Sequence, residues 1–113
     1  VSKIDDLKAF GANVDEGLKR CVNNEEFYLR MVNKAADDAS FDDLEKAVNS
    51  KDLGQAFEIA HALKGVLANL ALTPICDPVS DIVEKLRNKT DADYGSYLEI
   101  IRTKREELIN ILK

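Results

Sequence analysis

The chain reads as all-α: an antiparallel up-down four-helix bundle with additional short N-terminal helices. Three observations lead there. Apolar residues recur at helical spacing from end to end, and no segment alternates with the period of two that a half-buried strand requires. Only two prolines and five glycines interrupt 113 residues, so long helices survive. The polar breaks between apolar stretches are short, which favours antiparallel neighbours.

The elements follow in order. Ser2 is placed to cap a first short helix over 3–10, which Gly11 ends. Asn13 begins a second, with Glu16 three residues on completing a capping-box pattern, and Val14, Leu18, Cys21 and Val22 form its apolar stripe. Asn24 caps a third segment, in which Phe27, Tyr28, Met31, Val32 and Ala35 recur at helical spacing. At Ser40 two readings stand, a fresh N-cap or a surface position in a continuing helix. Phe41, Leu44, Ala47 and Val48 carry the stripe onward in either case.

The run Asn49-Ser50-Lys51-Asp52 is a polar turn, with Asp52 capping a helix over 53–71. Thr73-Pro74 is a helix-start signal, a side-chain acceptor followed by a residue with no N–H to leave unpaired. Asp77-Pro78 repeats it. Either the next helix starts at Pro74 and bends at Pro78, or an irregular turn precedes a start at Pro78. Val79, Ile82, Val83 and Leu86 are its buried stripe. After a polar loop over 88–93, a last helix over 94–112 aligns Tyr94, Tyr97, Leu98, Ile101, Leu108 and Leu112, with both tyrosines at the core edge. The bundle is expected over 41–50, 53–71, 74–88 and 94–112, with the earlier helices as a cap or side layer.

Length and composition set the class: a single domain over 1–113, with 45% hydrophobic and 33% charged residues. Sixteen basic against 21 acidic side chains give a net charge of −5, which repels phosphate backbones and anionic lipid. Nucleic acid and membrane are therefore not expected partners. No apolar stretch approaches the ~20 residues that span a bilayer, and no signal peptide is visible, so a cytoplasmic monomer is expected. Cys21 and Cys76 read as small hydrophobes in a reducing compartment, with one disulfide left open. Asp37-Asp38 and Asp42-Asp43 read as solvated helix ends rather than metal ligands.

The chain's one histidine carries the functional signal. Each helical residue advances about 100°, so Ala56, Ile59, Ala60, Leu63, Val66, Leu67 and Leu70 gather on one side and His61 points to the other. A neutral imidazole is a good nucleophile near neutral pH. Gly65 lies about 40° from it, where a larger residue would stand over the ring. Gly54 and Ala68 extend a track of small residues along the same face. Lys64, at i+3, is placed to bring its ammonium to an anion bound on the ring. Phe57 and Leu72 lie within about 40° of the histidine direction, with Glu58 on the other flank. Phe57, Glu58, Ala68 and Leu72 are thus candidate contacts for a docking protein, with burial under a neighbouring helix an equal alternative for Phe57 and Leu72 and a simple solvated charge the alternative for Glu58. A lone helical histidine is ordinarily a plain surface residue, and a lone mid-helix glycine a close-packing contact. Their joint placement beside Lys64 argues for chemistry instead.

The run Ala60-His61-Ala62-Leu63-Lys64-Gly65-Val66-Leu67-Ala68-Asn69-Leu70 resembles the signature of histidine-containing phosphotransfer (HPt) domains, approximately H-x-L-K-G-s-s-A-x-L-G. Leu18, Phe27, Tyr28 and Leu29 sit where that family has its N-terminal apolar helices. Leu44 and Ala47 fit the helix before the motif, and Ile82, Glu84 and Arg87 the helix after it. The resemblance implies a four-helix bundle with extra N-terminal helices and reversible phosphorylation of His61. It implies exchange with an aspartate of a response-regulator receiver domain, or uptake from a sensor histidine kinase. It implies no cofactor in this chain, the Mg²⁺ belonging to the receiver, and hence a phosphocarrier more than an autonomous enzyme. Three positions depart from the pattern. Val66 and Leu67 replace small or hydroxyl residues and are read as core. Ala71 stands where a glycine is common, which bears on the following turn. Pro78 replaces an apolar helical residue.

Two other classes remain open. A non-phosphorylated helical adaptor would bind receivers without His61, and a phosphatase acting on a receiver would release phosphate over many turnovers. His61 with Lys64 favours transfer over the adaptor.

Overall fold

The computed structural model describes residues 2–89 and 92–113. Among them are α1 Lys3–Phe10, α2 Val14–Arg20, α3 Glu25–Ala36, α4 Ser40–Asn49, α5 Leu53–Asn69, α6 Thr73–Arg87 and α7 Tyr94–Leu112, and no strand. No helix of the described residues is long and apolar enough to cross a membrane.

Most starts follow from acceptors legible in the sequence. Ser2 Oγ accepts from the Asp5 N–H at 3.1 Å, Asn24 Oδ1 from Phe27 at 3.0 Å, and Asp52 Oδ1 from Gln55 at 3.1 Å. Asp93 caps α7, and the Ser96 hydroxyl followed by the Ser96 N–H holds its carboxyl below the usual range. Gly11 closes α1 at φ 111°, a conformation that disfavours any residue with a Cβ.

Other ends differ from expectation for physical reasons. Asn13 Oδ1 does accept from the Glu16 N–H at 3.3 Å, but the return half of the capping box is missing. The Asn13 N–H donates to the Ala71 carbonyl at 3.0 Å, and Glu16 pairs with Arg20 at 3.3 Å. The chain does break before Ser40, yet Ser40 is the first helical residue rather than the cap. Asp38 Oδ1 accepts its N–H at 2.8 Å, an acid doing the work from two residues back. Helix α6 starts at Thr73 and contains Pro78, the first of the two starts considered, but its cap position is Leu72, which has no side-chain acceptor. Of the loop expected over 88–93, Thr90 and Asp91 lie outside the described residues. Val22 is not part of an apolar stripe: α2 ends at Arg20, Val22 turns to φ 51°, and its side chain is exposed.

Helices α4 to α7 close a ring, α5 packing between α4 and α6, and α7 between α6 and α4. Cross-contacts fix the sense of two pairs. Asp42 meets Arg105 at 3.7 Å while Glu45 meets Arg102, so α4 and α7 run antiparallel. Phe57 meets Arg87 while the Lys64 carbonyl faces Cys76 Sγ, so α5 and α6 do too. Leu44, Leu63, Leu67, Ile75, Ile82 and Leu108 fill the interior with essentially no exposure. Each such side chain contributes about 1.5–3 kcal/mol through burial. Cys21 is buried beside them, and both thiols are free.

The first three helices attach at two places. On α7, Lys3 Nζ donates to the Leu112 carbonyl at 2.8 Å and Arg105 Nε to the Ala36 carbonyl at 2.8 Å. At the end of α5, the buried Tyr28 hydroxyl donates to the Leu70 carbonyl at 3.0 Å, Asn13 to Ala71, and the Arg20 guanidinium to Ala68. Helix α5 stops at Asn69, two residues earlier than expected, because Ala71 takes a left-handed turn at φ 56°.

Two predictions follow from this joint. A Cβ on Gly17 would lie 2.5 Å from Tyr28 Cε1 and 2.7 Å from the Leu70 carbonyl oxygen. Gly17→Ala should cost about 1–3 kcal/mol of overpacking strain, read as a lowered urea midpoint. Burial pushes the Tyr28 phenol up to about 12, with the Cys21 thiol adding to it. The folded state therefore keeps a proton that the unfolded chain has lost. The stability tied to it is intact below about pH 10 and lost as pH climbs through about 12. Tyr28→Phe should leave the Leu70 carbonyl unpaired, costing about 1–3 kcal/mol at pH 7. It should also flatten the alkaline loss in unfolding curves taken from pH 7 to 11.

Candidate functional site

The site is built on one face of α5. Its opposite face carries Ala56, Ala60, Leu63 and Leu67 into the core, which fixes the rotation of the helix. His61 is thereby exposed, and among the described residues no hydrogen bond or ion pair engages its imidazole. The ring meets Phe57, one turn earlier, with centroids 5.6 Å apart and planes tilted by 30°. That contact follows from helix geometry, since side chains lean toward the N-terminus and a residue overlies the one four before it. By the same rule a side chain at position 65 would overlie His61. Position 65 is glycine, and a Cβ built there meets nothing within 4 Å. The ring thus has Phe57 beneath it and open space above.

The structure brings the other sequence candidates to this face, with one exception. Glu58 and Ala68 are exposed, Phe57 and Lys64 half-buried. No ion pair holds the Lys64 ammonium among the described residues, while its backbone carbonyl lies 4.0 Å from Cys76 Sγ. Leu72, expected among the docking contacts, is fully buried. Its angle was extrapolated around a helix that ends at Asn69; beyond the left-handed turn at Ala71 it packs inward at the start of α6.

A second correction concerns Val66, read as core but 41% exposed. With Phe27, Met31, Lys34 and Leu70 it lines a surface groove of about 380 Å³ between α3 and the end of α5.

Arg87, on α6, belongs to the site in a way the sequence did not disclose. Its guanidinium carbon lies 5.2 Å from the Phe57 ring centroid, over the ring, and its Nε pairs with Glu84 at 3.5 Å. Arg20 was missed likewise. Its role at the Ala68 carbonyl depends on a helix 48 residues away, and no local pattern announces it. Among the described residues no group of three or more His, Cys, Asp or Glu side chains gathers to hold a metal ion.

The Hpt domain family model matches residues 32–111, from within α3 to the last turn of α7. No curated protein and no solved structure matches the chain.

The two glycines now separate by experiment. Unlike Gly17, Gly65 meets no neighbour that a methyl group would displace. Gly65→Ala should raise helix stability by about 1 kcal/mol, seen as a higher melting temperature.

Proposed function

The chain belongs to the Hpt domain family, and from that premise we propose that it accepts a phosphoryl group on His61 and exchanges it with an aspartate of a response-regulator receiver domain. Membership itself supports a histidine phosphotransfer role in a phosphorelay. The assignment to His61 rests on one observation: an exposed imidazole with no hydrogen bond among the described residues and open space over Gly65.

The transfer balances simply. A lone pair on the unprotonated ring nitrogen attacks the phosphorus of the receiver's aspartyl phosphate. The bond from phosphorus to the carboxyl oxygen breaks, and its electron pair leaves with the aspartate. The other ring nitrogen keeps its proton, so the product is a phosphorylated imidazolium. Charge moves toward the leaving oxygen and the equatorial phosphoryl oxygens, where the Lys64 ammonium stabilises it. A lysine suits this task because its flexible stem follows the phosphoryl group without imposing a fork geometry. Gly65 admits the partner's active site to the ring.

In this reading the Mg²⁺ is the receiver's own, and this chain is a cytoplasmic carrier rather than an autonomous enzyme. Glu58 and Ala68 border the docking face, and a sensor histidine kinase is the alternative donor.

Incubation with a radiolabelled phosphorylated receiver should place on this protein a phosphate that is stable in alkali and lost in acid. His61→Gln should abolish it, and undiminished labelling of that variant would overturn the assignment. Lys64→Ala should retain labelling but slow it by about tenfold.

A further inference from the structure

We infer that Phe57, held in place by Arg87, is a positioning residue for the His61 phosphoryl transfer, an inference that rests on the reading of His61 as the phosphoacceptor. The imidazole makes no hydrogen bond among the described residues, so nothing polar selects its rotamer. A nucleophile on a free rotor spends much of its time misaimed, and small misalignments of a reacting atom are costly. The contact that does restrain the ring is Phe57, at 5.6 Å between centroids and 30° between planes.

Phe57 is itself braced. The Arg87 guanidinium sits over its ring at 5.2 Å, and Glu84 at 3.5 Å steadies Arg87. Half-burial against α6 removes more of the ring's freedom. A chain of contacts thus runs from α6 to the imidazole: Glu84, Arg87, Phe57, His61. Its effect is to rest the ring on a fixed apolar floor while the space over Gly65 stays open. An aromatic floor restrains without consuming either ring nitrogen, which a hydrogen-bonding partner would do. Both nitrogens stay available, one to attack and one to keep its proton.

The variants are Phe57→Leu, Phe57→Tyr and Arg87→Gln, each checked for native helicity. Two donors are used: phosphoramidate, which needs no docking, and the phosphorylated receiver that labels the unmodified protein fastest. Labelling of the unmodified protein but not of His61→Gln by phosphoramidate tests the phosphoacceptor reading separately. For Phe57→Leu we expect unchanged uptake from phosphoramidate and a roughly tenfold lower transfer rate at saturating receiver. Half-saturation should stay unchanged, Phe57→Tyr should restore the rate, and Arg87→Gln should give a smaller loss. The ring-current shift of the imidazole protons should disappear in Phe57→Leu and persist in Phe57→Tyr. A full rate at saturating receiver in Phe57→Leu, or a change confined to half-saturation, would overturn the inference. The first outcome would mean no role and the second a docking contact only.

Discussion

The turn that closes α5 presents carbonyl oxygens to distant segments, and the N-terminal helices are tied to the bundle through them. The turn itself pairs part of the helix end, Leu70 donating to Val66, Ala71 to Ala68 and Leu72 to Leu67, but its own Leu70 and Ala71 carbonyls point beyond it. Here Arg20 adds a second donor to Ala68, Tyr28 donates to Leu70 and Asn13 to Ala71, the two ends of α2 and one residue of α3. Each bond adds only about 1 kcal/mol net, but a buried carbonyl left unpaired costs as much as 3 kcal/mol. Gly17 is the steric condition for this joint, since any side chain there would strike Tyr28 and the Leu70 carbonyl. The opposite end of α5 is set by Asp52. Held at both ends and packed along its apolar face, α5 has one axial position and one rotation, and these place His61 outward.

Exposure of His61 is a consequence of that packing, and access to it is a separate matter. Gly17 and Gly65 are the same residue for opposite reasons. Gly17 is small because the protein's own atoms crowd it. Gly65 sits in open space and weakens its helix by about 1 kcal/mol with no internal return. In the proposed reading the region over the ring is left clear for a partner's active site. An imidazole and a Lys64 ammonium without a hydrogen bond or ion pair among the described residues fit the same proposal. If His61 is the phosphoacceptor, the contacts of Phe57 with Arg87 and with the imidazole give that ring a defined direction.

Much of the fold was legible because its signals are local. Ser2, Asn13, Asn24 and Asp52 cap through bonds three residues long, and the buried stripes of α5 and α6 follow from helical period alone. His61, Lys64 and Gly65 were legible for the same reason: they lie on one uninterrupted helix, so their relative directions need no knowledge of neighbours. The failures share a cause as well. Leu72 and Val22 were placed by extending a wheel past a helix end, and in each case a left-handed residue, Ala71 or Val22 itself, had already reset the direction. Helical period alone puts Val66 on the apolar side, but there α5 faces an open groove toward α3 rather than close packing.

The amino-acid order alone therefore settled the helical class, most helix starts, and the grouping of histidine, lysine and glycine on one exposed face. These depend on interactions spanning a few residues of backbone. Tertiary packing decided where α5 ends, which of its flanks is covered, and that Arg87 stands behind Phe57 while Arg20 closes the helix. Those outcomes turn on which atoms distant segments bring to one place, and carbonyl pairing and steric fit register only once the helices are assembled.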